Sequence, residues 1–98
     1  MEKHSPHCPL DKVKELAGAG KIRATATAVQ CARQLGFRGD ALFEEILKLE
    51  RSEFYKSMTT YENHKVWQDV YRHSCRAGML YIKLTVLDDV IIVSFKEL

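Results

Sequence analysis

The chain has 98 residues, which is enough for one folded domain with a single core and too few for two. Its hydrophobic fraction of 46% is ordinary for a globular protein, and its formal net charge of +2 arises from acids and bases mixed along the chain. This balance excludes a strongly basic nucleic-acid-binding domain. No apolar run reaches the ~18 to 20 residues of a membrane span, so we expect a single domain, residues 1–98, without a membrane partner.

The N-terminal segment "MEKHSPHCPL" lacks the apolar core of a signal peptide, which predicts a cytoplasmic location. It brings His4 and His7 near Cys8, but a metal site would need a fourth ligand, and none is evident. The three cysteines are widely spaced and odd in number, which is typical of reduced thiols rather than a disulfide framework. We therefore expect no metal ion and no other cofactor.

Residues 9–49 have the pattern of short amphipathic helices. "PLDKVKELAGAG" places Pro9 near a helix start and glycines at its end, and "KIRAT" follows as a short extended link. "TATAVQCARQLG" predicts a second helix capped by Thr25 or Thr27, and "GDALFEEILKLE" predicts a third capped by Asp40. The side chains expected on the inward faces are Leu10, Val13, Leu16, Ala17, Ala28, Cys31, Ala32, Leu35, Leu42, Phe43, Ile46, Leu47 and Leu49.

Residues 54–96 have mostly the pattern of antiparallel strands. The clearest signal is "LYIKLTVLDDVIIVSFKEL", where two apolar, β-branched runs flank Asp88-Asp89. A two-residue turn there pairs Leu87 with Val90. The apolar pairs expected on the inward face are Ile82 with Phe95, Leu84 with Val93, and Val86 with Ile91. The whole chain is therefore predicted to be α+β, with short N-terminal helices packed on one face of a C-terminal antiparallel sheet.

The other face of this hairpin is cationic at one end. The same register places Tyr81 opposite Lys96 and Lys83 opposite Ser94, and opposed residues have Cβ atoms about 4.5 to 5.5 Å apart. These side chains fit the solvent side of a one-sided sheet. They also fit a phosphate site, because ammonium and phenol donors suit an anionic transition state. The spacing alone leaves both interpretations open.

The segment "FYKSMTTYENHKVWQDVYR", residues 54–72, combines rings with cations and could form a hairpin around "ENHK". Lys56 and Gln68 share a face only if the loop has an odd number of residues or one strand contains a bulge. Aromatic residues such as Trp67 suit either core packing or the stacking of unpaired RNA bases. His64 is either a loop-tip histidine or a general base.

No Gly-rich phosphate loop, no GxSxG turn and no carboxylate pair suited to acid–base or Mg²⁺ chemistry is present in the sequence. Three function classes remain. The first is an enzyme that cleaves RNA on the cationic face, and the second is a non-catalytic module that binds RNA or an acidic protein strand through the same face. The third is a purely structural partner.

The stretches "FYKSMTTYENHKVWQDVYR" and "YIKLTVLDDVIIVSFKE", with the opening "MEKHSPH", resemble the MqsR toxins, the mRNA interferases of a bacterial type II toxin–antitoxin system. The resemblance extends over nearly the whole chain. It implies a RelE-like fold and a metal-independent endoribonuclease that cleaves mRNA at GCU-type triplets and arrests growth. It also implies a cognate antitoxin with a zinc-binding N-terminal domain and a helix-turn-helix C-terminal domain. The toxin would then contact operator DNA only indirectly, through this antitoxin.

The resemblance also implies which residues act. The catalytic residues it implies are Lys56, Gln68, Tyr81 and Lys96, and the residues we predict to contact RNA are Tyr55, His64, Trp67, Arg72 and Lys83. We expect attack by a ribose 2′-OH, with the proton accepted by Lys56, whose pKa neighbouring cations would lower, or by His64. The stretches "CARQLGFRGDALFEEILKLE" and "RHSCRAG" depart most from the family, which leaves the triplet and the antitoxin specificity open.

Overall fold

The computed structural model describes all 98 residues, Met1–Leu98. In chain order, its elements are β1 (Glu2–Lys3), α1 (Leu10–Gly18), β2 (Ile22–Ala24), α2 (Ala26–Gln34), α3 (Asp40–Ile46), a 3₁₀ turn (Arg51–Glu53), β3 (Phe54–Thr59), β4 (Trp67–Cys75), β5 (Gly78–Val86) and β6 (Val90–Glu97). The predicted α+β class, with N-terminal helices and C-terminal strands, is confirmed. None of the helices has the length and apolar character needed to cross a membrane.

The six strands form one sheet in the order β1-β3-β4-β5-β6-β2. Neighbouring strands are antiparallel except β2, which pairs in parallel with β6 and matches Ile22 with Val90. The extended link expected at "KIRAT" is therefore an edge strand, because its backbone groups find hydrogen-bond partners along β6. Strand β1 forms the opposite edge by pairing Glu2 with Met58. Both edges are thus strands of only two or three residues, which limits pairing with other chains.

The helices cover one face of the sheet and enclose the core. Helix α2 lies against β6 through Ala28 and Ala32, whose small side chains are buried and allow close approach. The rings of Phe37 and Phe95 meet edge to face, with centroids 5.2 Å apart. The remaining buried members of this core are Leu10, Val13, Leu42, Ile46, Leu49, Tyr71, Leu80, Ile82, Leu84, Val90 and Ile92. Each fully buried aliphatic side chain contributes about 1.5–3 kcal/mol relative to exposure, so this packing determines which sheet face is covered.

The N-terminal cap of α2 is the one predicted from the sequence, whereas the N-terminal cap of α3 is not. Thr25 caps α2, since its Oγ1 accepts a hydrogen bond from the Ala28 N–H at 3.2 Å. The cap predicted at Asp40 is wrong, because Gly39 is the N-cap at φ +56° and Asp40 is the first helical residue. Glycine adopts this left-handed conformation without the penalty of a Cβ. Leu47, expected to point inward, is 41% exposed because α3 ends at Ile46.

The final hairpin has the predicted register at its open end. Tyr81 pairs with Lys96, and Lys83 pairs with Ser94. The cationic cluster inferred from spacing is therefore present in the fold. The two strands hold these four side chains on one face because opposed residues of an antiparallel pair project to the same side.

At the turn, the same hairpin differs from the prediction. Val86 pairs with Val90, so the loop has three residues, 87–89, instead of two. A two-residue type I′ turn needs positive φ at both positions, and no residue other than glycine has positive φ in this chain. A bulge farther along β6 restores the register. As a result, Val90 and Ile92 are buried in place of the expected Ile91 and Val93.

A buried ionic network around His73 joins α3, the 3₁₀ turn and β4. Its Nε2 lies 2.7 Å from Glu45 Oε1, and its Nδ1 lies 2.9 and 3.0 Å from the two carboxylate oxygens of Glu53. Burial acts to lower the pKa of His73, but hydrogen bonds and charge from Glu53 and Glu45 outweigh burial and raise it. Burial acts to raise the pKa of Glu53, but hydrogen bonds from His73 and from the backbone N–H groups of Ser74 and Glu50 lower it. The network therefore favours the charged forms of both groups.

Candidate active site

The sheet face opposite the helices carries most of the candidate site residues. Side chains alternate along a strand, so residues paired across neighbouring strands project to a common side. This surface, called the open face below, comprises Lys56 on β3, Gln68 and Arg72 on β4, Tyr81 and Lys83 on β5, and Ser94 and Lys96 on β6. It therefore brings four cations, an amide and a phenol together on four adjacent strands.

Lys56 and Gln68 lie on the same face, which the sequence left undecided. Strand β3 pairs Lys56 with Val70 and Met58 with Gln68, so Gln68 is a diagonal neighbour of Lys56. The loop between the two strands contains seven residues, 60–66. This odd number produces the register that places both side chains on the open face.

Tyr81 stands among the cations at one end of the open face. The Nζ atoms of Lys96 and Lys83 lie 5.2 and 5.8 Å from the centroid of its ring. Arg72 is the residue directly opposite Tyr81 on β4. These separations are within the range of cation–π attraction, so the phenol and three cations form one compact group.

A bulge in β3 adds a second ring to this surface. Tyr55 is the extra residue between the paired positions Phe54 and Lys56. The guanidinium carbon of Arg72 lies 3.8 Å from the centroid of the Tyr55 ring, and Lys56 Nζ lies 5.4 Å from it. Since Tyr55 is 40% exposed, the stacked Tyr55 and Arg72 present a flat, cationic surface beside the lysines.

Lys56 is the one cation of the open face that forms an ion pair. Its Nζ donates a hydrogen bond of 2.6 Å to Glu2 Oε1 on the edge strand β1. This hydrogen bond raises the pKa of Lys56 and lowers the pKa of Glu2. The expectation that neighbouring cations would lower the pKa of Lys56 is therefore wrong, because the bond to Glu2 dominates.

Lys83 has the opposite shift. It is half-buried at the middle of the open face, where burial lowers its pKa and the charges of Lys96 and Lys56 lower it further. Lys83, Arg72 and Lys96 form no ion pair with any carboxylate. The surroundings of Lys83 thus disfavour its charged form.

His64 borders the open face from the loop between β3 and β4. It lines a wide, shallow depression of about 900 Å³ together with Gln68 and Lys83. Thr60 holds this loop, because its Oγ1 accepts a hydrogen bond from the Asn63 N–H at 3.0 Å and donates one to the Asn63 carbonyl at 2.8 Å. The volume is in the range of small-molecule sites, but the depression opens broadly to solvent.

Trp67 does not lie on the open face, although we grouped it with the residues that contact RNA. It neighbours Gln68 in β4 and therefore projects to the opposite side. Its ring stacks on His7, with centroids 5.3 Å apart, and Lys3 Nζ lies 4.2 Å from its centroid. The segment that covers it is held by Asp69, whose carboxylate accepts a hydrogen bond from the His7 N–H at 3.0 Å. Trp67 thus anchors the N-terminal segment.

Glu2 is a site residue that the sequence did not single out. It is separated from Lys56 by 54 positions, and only the pairing of β1 with β3 brings the two together. The opening "MEKHSPH" contributed to the family resemblance, but nothing in its spacing indicated a partner for Lys56.

Three side chains of types that can ligate a metal ion lie close together on the covered side of β4. Ligand atoms of Glu45, His73 and Cys75 lie within 4.8 Å of one another. Both nitrogens of His73 are already within hydrogen-bond distance of Glu45 and Glu53 carboxylates. The cluster is therefore satisfied as an ionic network, and no comparable group of ligands lies on the open face.

Comparison with known proteins shows to which family the chain belongs. The family model described as "Motility quorum-sensing regulator, toxin of MqsA" matches residues 5–97. The chain belongs to the MqsR toxin family. A member from Escherichia coli (strain K12), named mRNA interferase toxin MqsR, is 50% identical over 97 residues that cover 99% of each chain. The sequence-based recognition of an MqsR toxin is thus confirmed. The residues matched by the family model include the positions of the open face, whereas Glu2 precedes them.

Proposed function

We propose that this MqsR-family protein is an endoribonuclease toxin that cleaves mRNA on its open face without a metal ion. The proposal is carried by the convergence of Lys56, Gln68, Tyr81 and Lys96 on one solvent-facing surface. It is supported by the similarity to a full-length relative named mRNA interferase toxin. Cleavage at GCU-type triplets, followed by growth arrest, is the specificity and outcome proposed from the family resemblance.

The proposed reaction is in-line attack of a ribose 2′-OH on the adjacent phosphorus. A bond forms between the 2′-oxygen and phosphorus, and the bond from phosphorus to the 5′-oxygen breaks. The products carry a 2′,3′-cyclic phosphate and a 5′-OH. Lys56 and Lys96 stabilise the charge that develops on the phosphorane oxygens, so a metal ion is not required for that purpose.

Gln68 and Tyr81 have separate roles in this scheme. Gln68 donates a hydrogen bond that orients the phosphate or the ribose, from its position diagonal to Lys56. Tyr81 donates a proton to the leaving 5′-oxygen, from its position opposite Lys96. A positioned general acid contributes typically about 10²- to 10⁴-fold to the rate.

Two groups are candidates for the base that accepts the 2′-OH proton, and their surroundings differ. Lys56 is disfavoured as the base, because Glu2 stabilises its protonated form and leaves it suited to electrostatic stabilisation. His64 borders the same depression as Gln68, which keeps it within the group of candidates. Histidine commonly exchanges protons near neutral pH.

RNA must be unstacked for the 2′-OH and the leaving oxygen to align on phosphorus. The stacked pair Tyr55 and Arg72 offers a flat, positively charged surface for a base next to the scissile phosphate. Trp67 projects from the opposite face and stacks on His7, so its proposed role is to anchor the N-terminal segment.

The proposed protein partner is a cognate antitoxin with a zinc-binding N-terminal domain and a helix-turn-helix C-terminal domain. The family description "toxin of MqsA" supports such a pairing. Binding would neutralise the toxin, and operator DNA would be contacted only through the antitoxin. The proposed site of action is the cytoplasm, where mRNA is translated.

The first test is cleavage of mRNA by the purified protein in EDTA, with the cut ends mapped. We expect 2′,3′-cyclic phosphate and 5′-OH ends from the wild type, and about a 10²- to 10⁴-fold slower reaction from Tyr81→Phe. Tyr71→Phe is the matched control, because Tyr71 is fully buried on the covered face and its hydroxyl has no hydrogen-bond partner. Equal rates for Tyr81→Phe and wild type would remove Tyr81 from the mechanism.

The competing function is a non-catalytic module that binds RNA through the same open face. Both functions imply an RNA affinity that decreases with salt, so binding alone does not separate them. Intact RNA after incubation with well-folded wild type would favour the binding module.

A further inference from the structure

Lys83 lies at the centre of the open face, although none of the roles proposed above belongs to it. It pairs with Ser94 on one side and Val70 on the other, and Val70 in turn pairs with Lys56. It also lines the depression that contains Gln68. Lys83 thus lies between Lys56 and Lys96, the two lysines proposed to stabilise the phosphorane, where a phosphate held by both would be within reach.

The charged groups around Lys83 are predominantly cationic. Lys96 lies on the neighbouring strand β6, Arg72 lies on the neighbouring strand β4, and Lys56 lies one strand farther away, on β3. Tyr81 lies two residues away on the same face, with its ring centroid 5.8 Å from Lys83 Nζ. The titratable residues that the loop contributes to the shared depression are Tyr61, Glu62 and His64, and Met1 with its terminal amine also lines it. No carboxylate forms an ion pair with Lys83.

These surroundings make Lys83 different from Lys56. Burial and the charges of Lys96 and Lys56 lower the pKa of Lys83, whereas the hydrogen bond to Glu2 raises the pKa of Lys56. A general base must be unprotonated before it can accept a proton, and efficiency increases as its pKa approaches the working pH. Of the two lysines, Lys83 therefore has the larger neutral fraction.

We propose that Lys83 is the general base of the cleavage reaction. This proposal rests on the proposed endoribonuclease function. The neutral Nζ accepts the proton of the 2′-OH as the 2′-oxygen bonds to phosphorus, which converts Lys83 to its ammonium form. The bond to the 5′-oxygen breaks, and that oxygen receives a proton from Tyr81. Proton transfer from Lys83 back to Tyr81 through solvent restores both groups, so no other reactant is needed.

The test compares Lys83→Arg and Lys83→Met with the wild type in single-turnover cleavage of RNA. Arginine keeps the positive charge but does not deprotonate in proteins, and methionine keeps most of the side-chain length without a charge. We expect both variants to lose about 10²- to 10⁴-fold in cleavage rate. Lys65→Arg, in the exposed loop between β3 and β4, is the matched control and should cleave like the wild type.

A second measurement distinguishes a base from a phosphate-binding cation. For RNA with a 2′-deoxy substitution at the scissile position, we expect Lys83→Arg to bind within about threefold of the wild type, because its charge is retained. The wild-type rate should increase with pH to an apparent pKa below the free-lysine value of about 10.4, and Lys83→Arg should lose this dependence. Thermal melting of each variant reports whether the fold is kept.

The proposal fails if Lys83→Arg retains most of the cleavage rate or the wild-type pH profile while the wild type cuts RNA. That result would return the base role to His64 and leave the endoribonuclease function intact. A folded wild type that leaves RNA uncut would instead remove the proposed function, and the role of Lys83 as base with it.

Discussion

On the open face, the carboxylate of Glu2 makes the surroundings of Lys56 differ from those of Lys83. Lys56 is bound by Glu2 at 2.6 Å, which stabilises its ammonium form. Lys83 has no such partner and is half-buried among like charges, which destabilises its ammonium form. At the scale of single residues, the same side-chain type is therefore suited to electrostatic stabilisation at one position and to proton transfer at the other.

Glu2→Gln should strengthen RNA binding, because it removes a carboxylate that competes with phosphate for Lys56. Solvent and salt screen an ion pair at the surface, so we expect at most about a fivefold decrease in Kd. The measurement is the Kd for RNA that carries a 2′-deoxy substitution at the cleavage site, at low salt. Glu44→Gln, on an exposed position of α3, is the control of equal charge change. A weaker affinity for Glu2→Gln than for this control would show that Glu2 helps binding.

At the scale of elements, His73 is the point where α3, the 3₁₀ turn and β4 are joined. Glu45 reaches it from α3 and Glu53 from the 3₁₀ turn, and all three side chains are nearly inaccessible to solvent. Lys48 adds a longer contact to Glu45 at 3.6 Å. Removing one partner of a buried ion pair leaves an uncompensated charge, which typically costs about 3–5 kcal/mol.

The stability of the protein should therefore depend on pH through this network. The folded-state pKa of His73 is raised above its usual value of 6.5, so its contribution is fully present below about pH 6.5 and is lost as the pH rises through the raised value. The folded-state pKa of Glu53 is lowered below 4.5, so its contribution is present above about pH 4.5 and is lost as the pH falls through the lowered value. The network should stabilise most between about pH 4.5 and 6.5.

Thermal melts of the wild type and His73→Gln across pH 4 to 9 test this dependence. We expect the Tm difference to be largest near pH 5 to 6 and to shrink at alkaline pH, where wild-type His73 loses its charge. His4→Gln is the control, since His4 is exposed and should leave the profile unchanged. A Tm difference that is constant with pH would contradict the assignment of a charged His73.

Two bulges determine how the strands present the open face. The bulge at Tyr55 brings an additional ring beside Arg72, and the bulge in β6 compensates for the three-residue turn. Without the second bulge, the register that pairs Tyr81 with Lys96 would not coexist with a loop of residues 87–89. These local irregularities therefore shape the candidate site as much as the regular strands do.

At the scale of the whole molecule, the distribution of charge matters more for RNA binding than the net charge does. The formal net charge is only +2, but Lys56, Arg72, Lys83 and Lys96 lie on one face with Glu2 as the single ion-pair partner. A surface of this kind attracts the RNA backbone and releases counterions on binding.

RNA affinity should consequently fall with salt, and Arg72→Ala should reduce that dependence. Each phosphate contact contributes about 0.7 to the slope of log K against log salt for single strands. We expect Arg72→Ala to lower the magnitude of the slope by about that amount, and Arg33→Ala, on the exposed side of α2, to leave it unchanged. The slopes are measured with RNA made resistant to cleavage by a 2′-deoxy substitution, and equal slopes for the two variants would exclude Arg72 from phosphate contact.

The sequence alone predicted those features that depend on residues close together in the chain. Helices and strands follow from the hydrophobic periodicity. The predicted pairing of Tyr81 with Lys96 is found because the bulge in β6 offsets the additional residue of the turn. The motifs around Lys56 and Gln68 were sufficient to recognise the family. These inferences succeeded because each used a single hairpin or a contiguous motif.

Features that depend on distant segments were decided only by the tertiary structure. Whether Lys56 and Gln68 share a face depended on the exact loop length, and the ion pair with Glu2 depended on an edge strand 54 residues away. Trp67 resembled a base-stacking ring, but the N-terminal segment covers it on the other face. A strand pattern specifies that two faces exist, whereas register, bulges and long-range pairing determine which side chains meet on each of them.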